Sequence, residues 1–303
     1  MGILLAFVAM LSWGVGDFLI QKSTRQLGTP FKRFRAFLTR NNDEKYSTWI
    51  VLFYICGFGT LVLTPFVWQE IGLLSIREIG FLFLVGVVML GAALLDFKAL
   101  KIGKISVVEQ VLVLEIPAVL ILTSLLLGEV LNIKQYFLIV ILMVGIIFIS
   151  IKDFGRLKKF VLEQGVVLAG AAAITMGVAD FLVGFGSRTT SPLMTNWFLN
   201  AVITIATLGY LIFDKKWDAT WHYARDNRKL IFYTCFFDNL AWVAYASSMA
   251  LIPIAIATAI SESYIVLAVV LGFWFNKEKL KTHQWAGLIL IVTAALTLGL
   301  ITK

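Results

Sequence analysis

The chain has 303 residues, of which 60% are hydrophobic and 15% are charged, and its mean hydropathy is +0.90. Soluble domains are about 45–50% apolar and about 25% charged, so this composition excludes an ordinary soluble protein and predicts a chain that crosses a membrane many times. The net charge is +8. Most Lys and Arg residues lie between apolar runs, as they do in membrane proteins, which argues against a nucleic-acid partner.

Apolar runs long enough to cross a bilayer follow one another along the whole chain. A transmembrane helix needs about 20 mostly apolar residues. Ten runs satisfy this: 2–21, 48–68, 79–96, 105–127, 135–151, 165–185, 193–213, 230–250, 254–275 and 283–301. The sequence therefore predicts an all-α membrane protein of ten transmembrane helices, embedded in a lipid bilayer.

The first and sixth runs are copies of one segment. Residues 2–19 and 165–182 are identical at nine of 18 aligned positions, and each holds one aspartate, Asp17 and Asp180, at the same place. An acid inside hydrocarbon is costly, so its presence in both copies indicates a function. The duplication predicts two five-helix repeats in one chain. The predicted repeats are residues 1–151 and 152–303.

Basic residues are distributed unequally between the two sides of the predicted membrane. The connections that follow the odd-numbered spans hold 22 Lys and Arg, and the other side holds four, which are Arg77, Lys134, Arg188 and Lys303. The positive-inside rule places the first group in the cytoplasm of a prokaryotic cell and both termini outside. Five is an odd number of spans, so the two repeats must be inverted relative to each other. The basic connection 22–47 is either a solvated loop or an amphipathic helix on anionic headgroups.

A second motif follows the fourth span of each half. Residues 128–136 read GEVLNIKQY and residues 277–285 read KEKLKTHQW, and residues 98–106 read KALKIGKIS. With the Trp-Gly pair in span 1 and with Glu115 and Pro117 in span 4, this order resembles the EamA family of the drug/metabolite transporter superfamily. The resemblance implies ten helices in two inverted five-helix repeats, a central substrate cavity and alternating access.

Ionisable residues inside the predicted spans are the candidate functional residues. Glu115 and Glu262, near the middles of spans 4 and 9, are expected to bind substrate, and Pro117 is expected to loosen the helix after Glu115. Further candidates for substrate binding are Gln110, Ser261, Tyr264, Trp13 and Trp242. Candidates for gating or proton coupling are Asp17, Asp180 and Asp238. For each acid the alternative is a structural hydrogen bond between helices.

These features together predict a secondary transporter of a small polar or amphipathic metabolite, such as an amino acid or a nucleobase-like compound. Proton coupling and facilitated exchange are both compatible with the pattern. A multidrug or cationic-compound exporter is the alternative. A membrane enzyme or lipid-handling protein is disfavoured, because the sequence has no nucleophile–base pair, metal cluster or phosphate-binding loop. We expect no cofactor and no metal, and either a monomer or a homodimer.

Overall fold

The computed structural model describes residues 1–26, 43–102, 108, 111–151, 166–264, 267 and 281–302. The described residues form helices and the turns between them. The helices are α1 (Gly2–Gln26), α2 (Asp43–Ile71), α3 (Ile76–Ile102), α4 (Glu115–Leu126), α5 (Ile133–Ser150), α6 (Val166–Thr189), α7 (Pro192–Phe213), α8 (Trp217–Asp226), α9 (Arg228–Leu251), α10 (Ile254–Ser261) and α11 (Thr282–Ile301). A 3₁₀ turn, Glu262–Tyr264, continues α10.

Six of the described helices are long and apolar enough to cross a bilayer, namely α1, α2, α3, α6, α7 and α11. The helices α4 and α5 are apolar but shorter. Parts of the predicted spans 4 and 9 lie outside the described residues, as does most of the basic connection 22–47. The all-helical membrane architecture is therefore confirmed, and the number of ten spans stays a prediction.

The most extensive helix packing joins the two halves of the chain. The main pairs are α1 with α9, α2 with α7, α3 with α6, and α5 with α11. In the second pair, Trp49 stacks on Tyr210 near one end, and Ser191 donates a hydrogen bond to Glu70 near the other. The helices α2 and α7 therefore run antiparallel, although they occupy the same position in the two predicted repeats.

The pair α5 and α11, the last helices of the two predicted repeats, is also antiparallel. Gln135, in the first turn of α5, donates to Thr302, which follows α11. At the other end, His283 contacts the carbonyl oxygen of Ile151.

The glutamines of the second motif share a local role. Gln135 and Gln284 each accept a hydrogen bond from the backbone nitrogen three residues earlier, and each caps its helix.

Two glycines of the duplicated segment allow close helix contacts. A Cβ at Gly14 would lie 2.7 Å from a methyl carbon of Leu267, and one at Gly177 would lie 2.7 Å from the Cβ of Ala118. Both distances are too short for ordinary packing, so only glycine fits. Gly14 and Gly177 are aligned in the repeat, and the spacing that relates Glu129 to Glu278 also relates Ala118 to Leu267. The two contacts are thus matched by the repeat, and each joins one half of the chain to the other.

A helix break lies directly before Glu115, not after it as the sequence predicted. Residues 113–114 form a turn, in which Ile116 N donates to Val113 O over three residues. Pro117 explains this position, because proline has no N–H to donate to the carbonyl of Val113 and its ring crowds that carbonyl. The 3₁₀ turn Glu262–Tyr264 follows α10 at the residues that the spacing of the second motif aligns with this break.

The polar connection 214–229 contains a short helix, α8. Its buried face carries Thr220 and Tyr223, while Trp221 is exposed on the opposite face. Tyr223 donates to the carbonyl of Ser23 at the end of α1. Burial raises the pKa of the Tyr223 phenol to about 12, so it remains a donor at any physiological pH.

Both termini lie at one end of the helix bundle. Gly2 packs against Ile252 at the end of α9, and the side chain of Arg188 also reaches the carbonyl of Ile252. Near the C-terminus, Gly299 packs against Ile3. The opposite end holds α8 and the C-terminal end of α1, which Tyr223 connects.

Candidate functional site

A cavity of about 110 Å³ lies among α1, α2, α3, α4, α6, α7 and α9. This volume is enough for several water molecules or a small organic group. Its polar or aromatic wall residues are Trp13, Asp96, Phe97, Glu115, Asp180, Asn196, Asn200, Asp238, Trp242, Glu262 and Tyr264. They come from both halves of the chain, so the cavity is built between the two predicted repeats.

Five acids line this one cavity. They are Asp96 on α3, Glu115 at the first residue of α4, Asp180 on α6, Asp238 on α9 and Glu262 in the 3₁₀ turn. None of the described wall residues is Lys, Arg or His. Glu115 lies at the N-terminus of α4, which carries a partial positive charge. The wall therefore combines many hydrogen-bond acceptors with little fixed positive charge.

Asp180 is the acid whose partners are best defined. Its Oδ2 accepts a 2.9 Å hydrogen bond from the hydroxyl of Tyr245, which lies 2.6 Å from the hydroxyl of Thr258. The carboxyl group of Glu115 lies within hydrogen-bond reach of the Asp180 carboxyl. Two carboxyl groups form such a bond only when one of them carries a proton. A proton shared by the two carboxyl groups would lie between α4 and α6.

The close approach of α4 and α6 makes the acid pair possible. Gly177 lies one helical turn before Asp180, and a Cβ at Gly177 would be 3.1 Å from the carbonyl oxygen of Glu115. A larger residue there would separate the two backbones. The glycine of the duplicated segment therefore positions the aspartate three residues later.

Aromatic rings form a second part of the wall. Trp13 packs edge-on against Trp242 at a centroid distance of 5.2 Å and against Tyr245 at 4.9 Å. Tyr264 lies 6.5 Å from Trp13. Rings in T-shaped contact are rigid and expose both edges and faces, and their faces attract cations.

Two amides complete the wall on the side of α7. Asn196 uses its amide nitrogen on the carbonyl oxygens of Pro192 and Trp242, so its oxygen remains available as an acceptor. Asn200 donates to Asn239, which in turn donates to the carbonyl oxygen of Ile55. These bonds join α7, α9 and α2 beside the cavity.

The predicted site residues fall into three groups. Trp13, Glu115, Asp180, Asp238, Trp242, Glu262 and Tyr264 line the cavity. Ser261 is buried, but it donates to the carbonyl oxygen of Ala6 and packs against α1 instead of the cavity. Gln110 and the side chain of Asp17 lie outside the described residues. Asp180, a candidate for gating or proton coupling, lines the same cavity as Glu115, a candidate for substrate binding.

Sequence reasoning missed four residues around the cavity. They are Asp96, Asn196 and Asn200, which line the cavity, and Tyr245, which donates a hydrogen bond to Asp180. A signal existed for the two asparagines, since they lie four residues apart in an apolar span and therefore share a helix face. Among the described residues, no group of three or more His, Cys, Asp or Glu is arranged to hold a metal ion.

Comparison with known proteins supports the sequence resemblance. The model of the EamA-like transporter family matches residues 34–151 and, a second time, residues 163–300. One solved crystal structure of a protein is similar to this chain, with a TM-score of 0.70 and 15% sequence identity. The match covers 99% of this chain and 96% of the other. That similarity concerns the fold alone. No curated protein sequence matches the chain.

Proposed function

Because the chain belongs to the EamA-like transporter family, we propose that it is a secondary transporter that moves a small polar or amphipathic metabolite by alternating access. The observation that carries this proposal is the cavity, which lies between the two halves and is lined by five acids. Intramembrane acids in transporters mark substrate or proton pathways. The antiparallel packing of α2 with α7 and of α5 with α11 supports inverted repeats, the architecture in which one half rocks against the other.

The wall favours a substrate that carries an amine. The acids and the free oxygen of Asn196 accept hydrogen bonds, and an ammonium group supplies three donors and a charge. An amino acid satisfies this requirement better than a neutral nucleobase. The rings of Trp13, Trp242 and Tyr264 favour the second candidate, an exporter of organic cations, because aromatic faces attract such groups.

The Glu115–Asp180 pair is the site that we propose for proton coupling. A proton held between the two carboxyl groups leaves when a cationic substrate takes its place, and it returns when the substrate departs. One proton is then exchanged for one positive charge. The coupling needs no other group, because both carboxyl groups line the cavity.

Flux into proteoliposomes tests these proposals. Amino acids, nucleobases and quaternary ammonium compounds are first ranked by how much they raise the unfolding temperature of the purified protein. The best ligand of each class is then used for uptake with and without a pH gradient. We expect an amine to be taken up and a pH gradient to accelerate its uptake.

Two variants separate the acid pair from general charge effects. Glu115→Gln and Asp180→Asn are expected to abolish acceleration by the pH gradient, whereas Asp218→Asn, which alters an exposed acid of α8, is expected to leave it unchanged. Uptake that both cavity variants retain with full pH dependence would contradict the coupling site. Chemical conversion of a ligand would contradict a transporter altogether.

A further inference from the structure

Arg188 and Glu129 form an ion pair at the end of the bundle that holds both termini. The Nη1 of Arg188 lies 2.6 Å from Oε1 of Glu129, and the two side chains are 30% and 13% exposed. An isolated ion pair at a surface contributes little to stability. This pair differs because each member is also bound to the end of a helix.

Arg188 closes the C-terminal end of α9. Its Nε donates to the carbonyl oxygen of Met249 and its Nη2 to that of Ile252, both at 2.8 Å. The last carbonyls of a helix have no partner within the helix and carry partial negative charge. The guanidinium fork satisfies two of these acceptors and still reaches Glu129. Arginine is the side chain suited to this task, because lysine cannot bond three groups in one plane.

Glu129 closes the N-terminal end of the next helix, α10. Its Oε2 accepts a hydrogen bond of 3.1 Å from the backbone nitrogen of Ile254, the first residue of α10. A carboxylate is favoured there because the N-terminus of a helix carries partial positive charge. We call these four parts, Arg188, Glu129, the end of α9 and the start of α10, the clasp.

The clasp joins the two halves of the chain. Glu129 follows α4 in the first half, whereas Arg188, α9 and α10 belong to the second half. Gly2 of the first half also packs against Ile252 within the clasp. Any movement that parts the halves at this end must break the bonds between Glu129 and the second half.

The cavity lies on the other side of a packed layer. The helices α1 and α3 both begin at the clasp end, yet α1 contributes to the described cavity wall only from Trp13 onwards and α3 only from Met89 onwards. Between the cavity and the clasp, Tyr245 bonds to Asp180, and Gly184 packs against Ile254. The structure therefore shows the state in which the clasp end is shut.

We propose that the clasp is the latch of this end, intact when the end is shut and broken when the cavity opens there. The proposal rests on alternating access as stated above. The charge-assisted bonds supply the stability of the shut state, because each is stronger than a neutral hydrogen bond. Solvent can reach both side chains when the halves part, so the open state leaves no charge buried.

Accessibility of a native thiol tests the latch without a known substrate. Cys56 lines the cavity, and Cys235, which is also buried, is replaced by alanine. A membrane-impermeant methanethiosulfonate is applied to oriented vesicles from one side at a time. In Arg188→Gln the rate of Cys56 modification from the clasp side should rise roughly tenfold to a hundredfold, as expected from the loss of charged hydrogen bonds that favour one state.

Glu129→Gln is the second test variant. Its amide oxygen still accepts from Ile254, so the cap of α10 is kept while the charge that pairs with Arg188 is lost. We expect the same direction of change with a smaller rise. Arg77→Gln is the matched control, since it removes a charge from an exposed residue at the same end of the bundle, and modification should stay unchanged.

The outcomes separate the latch from the proposed transport. Cys56 reactivity from the clasp side that is equal in Arg188→Gln, Glu129→Gln and Arg77→Gln, with equal unfolding temperatures, would overturn the latch. A wild-type protein that moves no solute across vesicles while these labelling differences are observed would overturn the transport function and keep the latch. If Arg188→Gln does not fold, Glu129→Gln alone decides, because it keeps the helix cap.

Discussion

At the residue scale, the hydroxyl groups of Tyr245 and Thr258 form a row that ends at Asp180. Each hydroxyl has one proton to donate. With Asp180 ionised, Tyr245 donates to Asp180 and Thr258 donates to Tyr245. With Asp180 protonated, the row reverses, and Thr258 donates to the carbonyl oxygen of Ile254, which lies 3.0 Å away. In both protonation states of Asp180, each hydroxyl group of the row therefore has an acceptor without any movement of the backbone.

Removing the middle of this row gives the first prediction at this scale. Tyr245→Phe takes the hydrogen bond from Asp180 Oδ2 and leaves a buried polar atom without a donor. We expect the free energy of unfolding to fall by about 1–3 kcal/mol, measured by denaturant titration in detergent micelles.

Tyr233→Phe is the matched control for this change, because Tyr233 lies on the same helix and is 51% exposed. It should alter the free energy of unfolding by no more than about 0.5 kcal/mol. If the two variants are equally stable, the hydroxyl of Tyr245 does not contribute to the free energy of unfolding, and neither does the row of hydroxyl groups.

At the element scale, two broken helices determine where the cavity lies. The break before Glu115 and the 3₁₀ turn at Glu262–Tyr264 occupy matched positions in the two halves. Each break places a polar or aromatic side chain against the cavity instead of extending a regular helix. Irregular backbone is tolerated inside a membrane where it lines a cavity or is covered by protein. The two breaks therefore belong to the site as much as the acids do.

The packing of α4 on α6 gives a second prediction. Gly177→Ala would place a Cβ 2.7 Å from the Cβ of Ala118 and 3.1 Å from the carbonyl oxygen of Glu115, so the helices must separate. We expect the free energy of unfolding to fall by about 1–3 kcal/mol, as for an overpacked core. Separation would also weaken the contact between Glu115 and Asp180, so the pH dependence of uptake should decrease in parallel.

Gly170→Ala is the control on the same helix. A Cβ at Gly170 would meet its nearest neighbour, a methyl carbon of Val111, at 3.8 Å, which is an ordinary contact. This variant should be as stable as the wild type or slightly more stable, because alanine favours the helix over glycine. Equal loss of stability in both variants would show that glycine matters for helix flexibility and not for the contact with α4.

Much of the architecture could be predicted from the sequence, because each span carries its own apolar signal and the duplication is visible in residue identities. The residues that complete the cavity could not. Asn196 donates a hydrogen bond to the carbonyl oxygen of Trp242, and Asn200 donates one to Asn239. Both partners lie about 40 residues away in the sequence. Such contacts depend on which helices pack together, and helical periodicity does not contain that information. The same reason applies to Arg188, whose partner Glu129 is 59 residues away in the sequence.

At the scale of the whole molecule, the charge distribution and the packing agree on which segments share an end. Arg77 precedes Phe81, which packs against Phe185 near Arg188, and both termini lie at this end. Arg77 and Arg188 belong to the group of four basic residues, whereas Arg225, which belongs to the group of 22, lies on α8 at the other end. The bias in basic residues predicts the orientation, with the clasp end outside the cell.

The orientation of the bundle is therefore a prediction that labelling can decide. Arg77→Cys and Arg225→Cys, each in a background without Cys56 and Cys235, place one exposed thiol at each end. Either change alters the bias of 22 to four by a single charge. We expect an impermeant maleimide to modify the cysteine at position 77 on intact cells and the cysteine at position 225 only after permeabilisation. The reverse pattern would place the clasp in the cytoplasm and the termini with it, and would show that the contacts between helices, not the basic loops, set the direction of insertion.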